Sequence, residues 1–399
     1  MIAATTTVNV AAEKCWDVII VGSGLAGSVA AIELARKKLS VLLLDQKSFP
    51  RSKPCGGCLN AEALHHLESV GVIDTINSLG GEPYSRFDLW TRGRNLSLNL
   101  PTGLGISRYR LDAALIERAV EAGAAFLPAT SGQVQPRDSQ YDSRTVLCRD
   151  GNVPIPVNGR VILLATGLSG NPVTGQPGFD FSTAPNGRIG LQATVPIEAD
   201  FPLTSAIHMA VGRSGYVGLA RIESSMINLA AAITPSALRN HSPADVCGQI
   251  LAESGVPFAV DIPAESWQGT VKLTRSRKTL ADERLFIVGD AAGYIEPFTG
   301  EGMATAIRGA RAVVEFAAAA AQDWDPRFVR QWDLTMRRKI IRRWPCNVLS
   351  QLLRVPVLVR LAMGITVNHP VLGRTIVKSI NRNFVDEKSI TGPRHSRAG

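Results

Sequence analysis

A glycine turn set between a buried strand and a helix constrains this chain more than any other feature. Gly22-Ser23-Gly24-Leu25-Ala26-Gly27 fits the pattern G-x-G-x-x-G. It follows the apolar run Trp16 to Val21, which reads as a fully buried parallel strand, and leads into helix formers from Ser28 to Lys37. Ser40 to Leu44 give a second buried strand, closed by Asp45 and Gln46. Together these make one βαβ unit. The first glycine allows the tight turn, the second lets the backbone approach a pyrophosphate, and the third lets helix and strand pack closely. The helix N-terminus, at Leu25 and Ala26, offers N–H groups and a partial positive charge to phosphates. Asp45, 18 residues after Gly27, can accept hydrogen bonds from an adenosine ribose. Its charge would repel a 2′-phosphate. Packing alone can also select a glycine-rich turn, but the strand–turn–helix context with Asp45 favours a dinucleotide site.

The rest of the chain is read around that unit. At 399 residues with 45% hydrophobic side chains, it can bury a sizeable core. Arg160 to Leu164 and Leu285 to Val288 repeat the buried-strand style, whereas residues 186–233 alternate and suggest an antiparallel sheet. Tyr109 to Ala122 and about Gly302 to Ala321 read as helices, and residues 51–60 as a loop without regular structure. The expected architecture is α/β: a Rossmann-type domain assembled from separated segments, 14–80, 105–180 and 270–322. A substrate domain with an antiparallel sheet, 81–104 and 181–269, is inserted between them. A C-terminal helical region covers 323–385, and 1–13 and 386–399 are expected as flexible tails.

A second motif narrows the cofactor. Residues 285–307, LFIVGDAAGYIEPFTGEGMATAI, place Gly289-Asp290 after a strand, then Pro297, then Gly300-Glu301-Gly302-Met303 at a helix start. This resembles the distal flavin motif of the para-hydroxybenzoate-hydroxylase-like flavoproteins. The resemblance implies FAD, with Asp290 on the ribityl chain and the Gly300–Gly302 backbone at the pyrimidine edge of the isoalloxazine. Helix-start N–H groups suit the negative charge that reduced flavin develops there. Arg108-x-x-Leu111-Asp112 resembles a third motif of these enzymes, with Arg108 on FAD and Asp112 mainly structural.

Lys53-Pro54-Cys55-Gly56-Gly57-Cys58-Leu59 resembles the P-C-G-G loop of the geranylgeranyl-reductase-like group, relatives of the flavin-dependent halogenases. The resemblance spans about residues 14–320. It implies that Cys55 lies on the substrate side of the flavin. Cys58 completes a C-x-x-C, so a redox disulfide and a pair of inert thiols stand as alternatives. Two departures matter. Thr166 stands where the group often has Asp, which leaves the electron donor open between transient NAD(P)H and a partner reductase. In the strand that carries Y-x-W-x-F-P in reductases, this chain has Tyr216, but Gly218, Ala220 and Arg221 replace the bulky residues and the proline. The halogenase form W-x-W-x-I-P is absent. A widened cavity for a hydrophobic, isoprenoid- or polyketide-like molecule is expected, with Cys55 and Tyr216 as candidate catalytic residues. Carbon–carbon double-bond reduction by hydride from flavin N5 is the first expectation, a C4a-hydroperoxide monooxygenase the second, and a non-catalytic flavoprotein the third.

The net charge of +9 is uneven. From Asp325 onward there are 15 Lys+Arg and 4 Asp+Glu, a balance of +11, which leaves −2 for the remainder. Nucleic acid is not expected, since no recognised module appears. The basic tail around Arg337-Arg338-Lys339 and Arg342-Arg343 precedes an apolar run broken by Arg354, Pro356 and Arg360. It either lies peripherally at a membrane or packs as a helical cap. The six scattered cysteines and the start without a basic, apolar leader lead to an expected cytoplasmic protein. The histidines show no metal spacing, and no metal is expected.

Overall fold

The computed structural model describes residues 1–340, except 174, 199, 200, 203, 259, 263, 297 and 299 and the side chains of 339 and 340. Five parallel strands form the first sheet, in the order Leu285–Ile287, Ile155–Leu164, Cys15–Val21, Val41–Leu44, Ala125–Leu127. All are short apolar runs, as burial on both faces demands. Their carboxyl ends come level: Val21 pairs with Leu44 on one side and Leu164 on the other, and Leu164 with Ile287. The chain runs from the first strand to one side and returns on the other, so a crevice opens where strand order reverses, the usual ligand position in such sheets.

The helix Leu25–Arg36 lies under that crevice and is buried along nearly its whole length. It is mostly apolar or small because helices Arg108–Glu121 and Gly302–Gln322 pack against it in addition to the sheet. Ser131–Val134 and Arg144–Arg149 add an antiparallel extension to the edge of Ile155–Leu164.

The second sheet has eight strands in the order Gln268–Lys272, Ile189–Pro196, Met226–Ile233, Gly215–Ile222, Ala206–Val211, Glu82–Thr91, Arg94–Gly105, Cys58–Leu59. It is antiparallel apart from one parallel pair, Ala206–Val211 with Glu82–Thr91. Helix Pro243–Ser254 packs on one face, against Ala210, Val217 and Leu219. The opposite face looks into the space between the two sheets. A third, three-stranded sheet joins Phe181–Thr183, Arg275–Arg277 and Gly293–Tyr294.

Two expectations are corrected. The first residues are not a frayed tail. Val8–Ala12 forms a helix with Val8 and Ala11 buried, Ile2 N donates to the Phe49 carbonyl, and Thr5 exchanges hydrogen bonds with Phe126. An apolar helix face and exchanged backbone bonds outweigh the conformational entropy of a short terminal segment. The 51–60 loop is not wholly irregular either, because Cys58–Leu59 pairs with Leu104 and Gly105. Gly105 allows this approach; a Cβ there would also lie 2.0 Å from the Arg221 carbonyl oxygen. Among the described residues no helix is long and apolar enough to cross a membrane. Pro297 and the basic segment beyond residue 340, including Arg342, Arg343 and the 386–399 tail, lie outside the described residues.

Candidate active site

One cavity of about 1040 Å³ runs from the crevice of the first sheet to the inner face of the second. That exceeds the usual single-ligand pocket and leaves room for a dinucleotide and a second molecule. Its crevice end is built from the glycine turn. Gly22 sits at φ +106°, and a Cβ there would lie 2.5 Å from the Ala165 carbonyl oxygen. Gly27 does not line the cavity; its missing Cβ leaves space for the Gly22 oxygen, only 1.8 Å from where that atom would sit. Gly24, Leu25 and Ala26 face the cavity. The nearest atoms to a Cβ built on Gly24 are the Arg108 Nη2 at 3.4 Å and the Arg51 Nη2 at 3.9 Å.

Two cations therefore meet at this turn, and a third, Lys53, lies within electrostatic reach of both. Arg108 is buried and held by Asp112 through two charge-assisted bonds, Nε to Oδ1 at 2.6 Å and Nη2 to Oδ2 at 2.8 Å. Its helix is capped by Ser107, whose N–H donates to Glu223 at 2.9 Å, so the second sheet fixes the start of the helix carrying Arg108. Lys53 lies 3.8 Å from Asp290. Burial, with Arg108 adding repulsion, lowers its pKa from the ordinary lysine value, so a nearby anion would stabilise its charge. Arg51 and Lys53 went unrecognised as cations in the sequence; R-x-K immediately before the P-C-G-G loop was the available signal.

Asp45 lines the cavity, but much of its acceptor capacity is already used. Oδ2 accepts from Ser23 N at 2.9 Å and Ser23 Oγ at 3.2 Å, and Oδ1 from Lys47 N at 2.9 Å. A carboxylate offers about four acceptor positions, which leaves room for one ribose hydroxyl. Gln46 lines the cavity beside it. From the distal motif, Gly289, Asp290, Gly300, Gly302 and Met303 line the cavity, whereas Glu301 does not and stands at the helix N-cap. A Cβ built on Gly300, at φ +73°, would find only the Cys58 Cβ, at 4.0 Å, so a flat ring can approach the backbone there. Glycine cradle, cation trio and open helix start together fit FAD. Thr166 lines the cavity and donates to the Gly170 carbonyl at 2.9 Å, closing its own turn.

The other end is apolar. Tyr216, Gly218 and Ala220 pair with Ala232, Ala230 and Asn228 on the neighbouring strand. Small residues on both strands thus make a low floor, walled by Phe87, Leu89, Leu96, Leu98, Ile207 and Met209. The charged residues lining the cavity all belong to the crevice end. Cys55 lines the cavity half-buried, and its carbonyl accepts from Asn228 Nδ2 at 2.9 Å. Asn228 is held in turn by Gln192 at 2.8 Å. Cys58 is buried, and burial together with Cys55 pushes its thiol up to about 12. Both cysteines are free thiols.

Tyr216 is buried, edge-on to Phe298 with ring centres 5.1 Å apart. Burial and the neighbouring Glu296 hold its hydroxyl well above the ordinary tyrosine range. Glu296 accepts from Arg188 Nη1 at 2.7 Å in a pair that is almost fully enclosed. Tyr294 also lines the cavity. Arg188, Glu296, Tyr294 and Asn228 were not singled out in the sequence. Glu296 and Tyr294 lie inside the distal motif, but nothing local marks Arg188 or Asn228.

Residues 15–155 match the model of an FAD binding domain. The chain is 28% identical over 321 residues to conditioned medium factor receptor 1 of Dictyostelium discoideum, a match over 75% of this chain and 62% of that protein. It thus spans less than two thirds of the length of that relative. It is 26% identical to digeranylgeranylglycerophospholipid reductase 2 of Methanothermobacter thermautotrophicus, over 82% of this chain and 84% of the relative. With menaquinone reductase of Mycobacterium tuberculosis it shares 24% identity, over 72% of each. Among solved structures, flavin-dependent brominase Bmp2 superposes with a TM-score of 0.72 at 18% identity, covering 95% of this chain and 96% of that one, a likeness of fold. Fold, cofactor crevice and sequence relatives agree: the chain carries an FAD-binding domain and is similar to FAD-dependent oxidoreductases that include geranylgeranyl-type reductases.

Proposed function

We propose that the protein reduces a carbon–carbon double bond in an uncharged, hydrophobic molecule of isoprenoid or polyketide type. The observation that carries this reading is the division of the cavity. Its charged lining is confined to the FAD end, while the far end presents an apolar trough in which Cys55, Tyr216 and Tyr294 are protic groups. The reductase relatives named above act, by their names, on a prenylated phospholipid and a prenylated quinone, and their cover of this chain supports the same substrate type.

In this reading Gly24, Arg51, Lys53 and Arg108 hold the pyrophosphate, Asp45 the adenosine ribose, and Asp290 the ribityl chain. Bound and reduced, FAD supplies hydride at N5. The protein walls exclude water from the apolar trough, and the small floor at Gly218, Ala220, Ala230 and Ala232 admits a flat or branched chain. Asn228 fixes the backbone of the Cys55 loop against the second sheet. NAD(P)H, bound transiently, or a partner reductase supplies electrons.

The test is anaerobic incubation of purified, FAD-loaded protein, reduced by dithionite or NAD(P)H, with a prenylated naphthoquinone and with geranylgeraniol. A product whose prenyl chain, rather than its quinone ring, carries two more hydrogens supports the reading. A product heavier by one oxygen, formed only in air, overturns it in favour of a monooxygenase.

A further inference from the structure

We propose that Met209 is the specificity-determining residue of the apolar trough: its thioether lies across the gap at Gly218, and its movement opens that gap to the side methyls of a prenyl chain. For the class of substrate, the inference rests on the reductive reading above.

The inner face of the second sheet has a tall half and a low half, and strand register decides where they meet. Leu96 pairs with Leu89, and Leu89 with Met209. In the adjacent row Leu98 pairs with Phe87, and Phe87 with Ile207. Beyond these large side chains lie the two strands of the low floor, where Gly218 stands opposite Met209 and Ala230 opposite Gly218. The strand Ala206–Val211 is therefore the step between the halves. Two strands at ordinary spacing make a floor roughly 10 Å wide.

Three sides of that floor are held in place. At one end Tyr216 sits edge-on to Phe298, and the Arg188 guanidinium lies 5.4 Å from its ring centre. At the other end Asn228 is bonded to the Cys55 carbonyl at 2.9 Å. Along the far side Gln192 and Thr194 stand level with Ala230 and Asn228. Gln192 donates to Thr194 and to Asn228, each at 2.8 Å. Side chains tied in this way give little room to a ligand.

The fourth side is the step, and one of its three inward-facing residues can yield. Ile207 and Val211 are β-branched and stiff at χ1. Met209, between them, is unbranched, with three rotatable bonds and a polarisable sulfur. It lines the cavity although only 7% exposed. Its Cε and Sδ lie 3.2 Å and 3.6 Å from where a Cβ on residue 218 would sit. Met209 thus fills the space that Gly218 vacates. A straight chain has no need of that space. A prenyl chain carries a methyl branch on each isoprene unit and needs lateral room for it, which the tall half withholds. Rotation of Met209 about its own bonds supplies that room and leaves the strand undisturbed.

The experiment measures binding of two alcohols to the FAD-loaded protein by isothermal titration. One is geranylgeraniol; the other is hexadecan-1-ol, which matches its main chain but lacks the methyl branches. Met209→Ile nearly conserves side-chain volume and stiffens it. It should keep native FAD affinity and Tm, weaken geranylgeraniol about tenfold, and leave hexadecan-1-ol within about twofold. In turnover of geranylgeraniol the loss should fall on KM, with kcat little changed. Gly218→Ala should show the same selective loss, because its methyl takes the gap. Adding Met209→Ala to it should restore binding at least about threefold, since the two positions share one volume. The inference is overturned if both alcohols weaken equally in Met209→Ile, if neither weakens, or if the losses at 209 and 218 simply add. Native protein that binds hexadecan-1-ol and not geranylgeraniol overturns it too. Oxygenated product from the native protein overturns the reductive reading, while selective binding by these variants would still stand. Reduced product with an unaltered binding profile in Met209→Ile sinks the inference alone.

Discussion

Asn228 donates to the Cys55 carbonyl at 2.9 Å across 173 positions of sequence, joining the floor of the apolar trough to the loop that borders the FAD end. Asn228 is 4% exposed and also accepts from Gln192 at 2.8 Å. Replacing it with leucine removes the donor to the half-buried Cys55 carbonyl and the acceptor of one Gln192 amide N–H, the other still donating to Thr194 at 2.8 Å. Asn228→Leu should cost about 1–3 kcal/mol in denaturant unfolding and speed alkylation of Cys55 as its loop loosens. Unchanged stability and labelling would show the bond to be incidental.

The glycine turn has no slack. A methyl on Gly27 would sit 1.8 Å from the Gly22 oxygen, and backbone cannot yield that far locally. Gly27→Ala should purify without flavin absorbance, or with FAD affinity lowered at least about tenfold, because the turn must open to accommodate it. Isothermal titration with FAD measures this directly.

The two cysteines of the C-x-x-C should differ in reactivity. With its thiol pushed up to about 12, Cys58 carries almost no thiolate near pH 8. Iodoacetamide followed by peptide mass analysis should modify Cys55 in the folded protein and Cys58 only after unfolding. Rapid labelling of Cys58 in the native state would contradict its burial.

The trough floor predicts substrate size. Gly218 departs from the bulky residue of similar reductases, and a Cβ there would meet the flexible end of Met209 at 3.2 Å and the Ala230 carbonyl oxygen at an ordinary 3.5 Å. Gly218→Trp should therefore fold and retain FAD, while weakening binding of a prenylated quinone by roughly tenfold or more through lost volume. Tighter binding of the bulky ligand would refute the floor assignment.

His208 gives a pH signature of stability. It is 3% exposed between Phe201 and Phe258, with Asp88, Arg86 and Thr204 about it. Burial lowers its pKa below the ordinary 6.5, Asp88 opposing and Arg86 assisting. The folded state thus resists a proton that the unfolded chain accepts. Its stability contribution is complete above about pH 6.5 and is lost as pH falls through the folded value. Thermal unfolding should show a falling Tm below pH 6.5, and His208→Phe should flatten that slope. An identical slope in the variant would assign the effect elsewhere.

Local pattern made the cofactor half legible. Gly22 to Gly27, Asp45 and the Gly289–Gly302 segment act through backbone conformation and strand-end position, and both are written in short runs of sequence. Arg108 was legible for the same reason, as it opens a helix. The substrate half was not. Arg188 and Glu296 lie 108 positions apart, and Asn228 and Cys55 lie 173 apart, so no local spacing marks either contact.

By itself, then, the sequence determined the βαβ unit, the glycine cradle and the small residues at 218 and 220, because these follow from chain sterics and periodicity. Only the tertiary structure decided which acids and cations face one another. Burial strengthens a charge or a hydrogen bond only once distant strands have closed around it. That closure paired Glu296 with Arg188 beside Tyr216, joined Asn228 to the Cys55 loop, and brought Lys53 within electrostatic reach of Arg51 and Arg108.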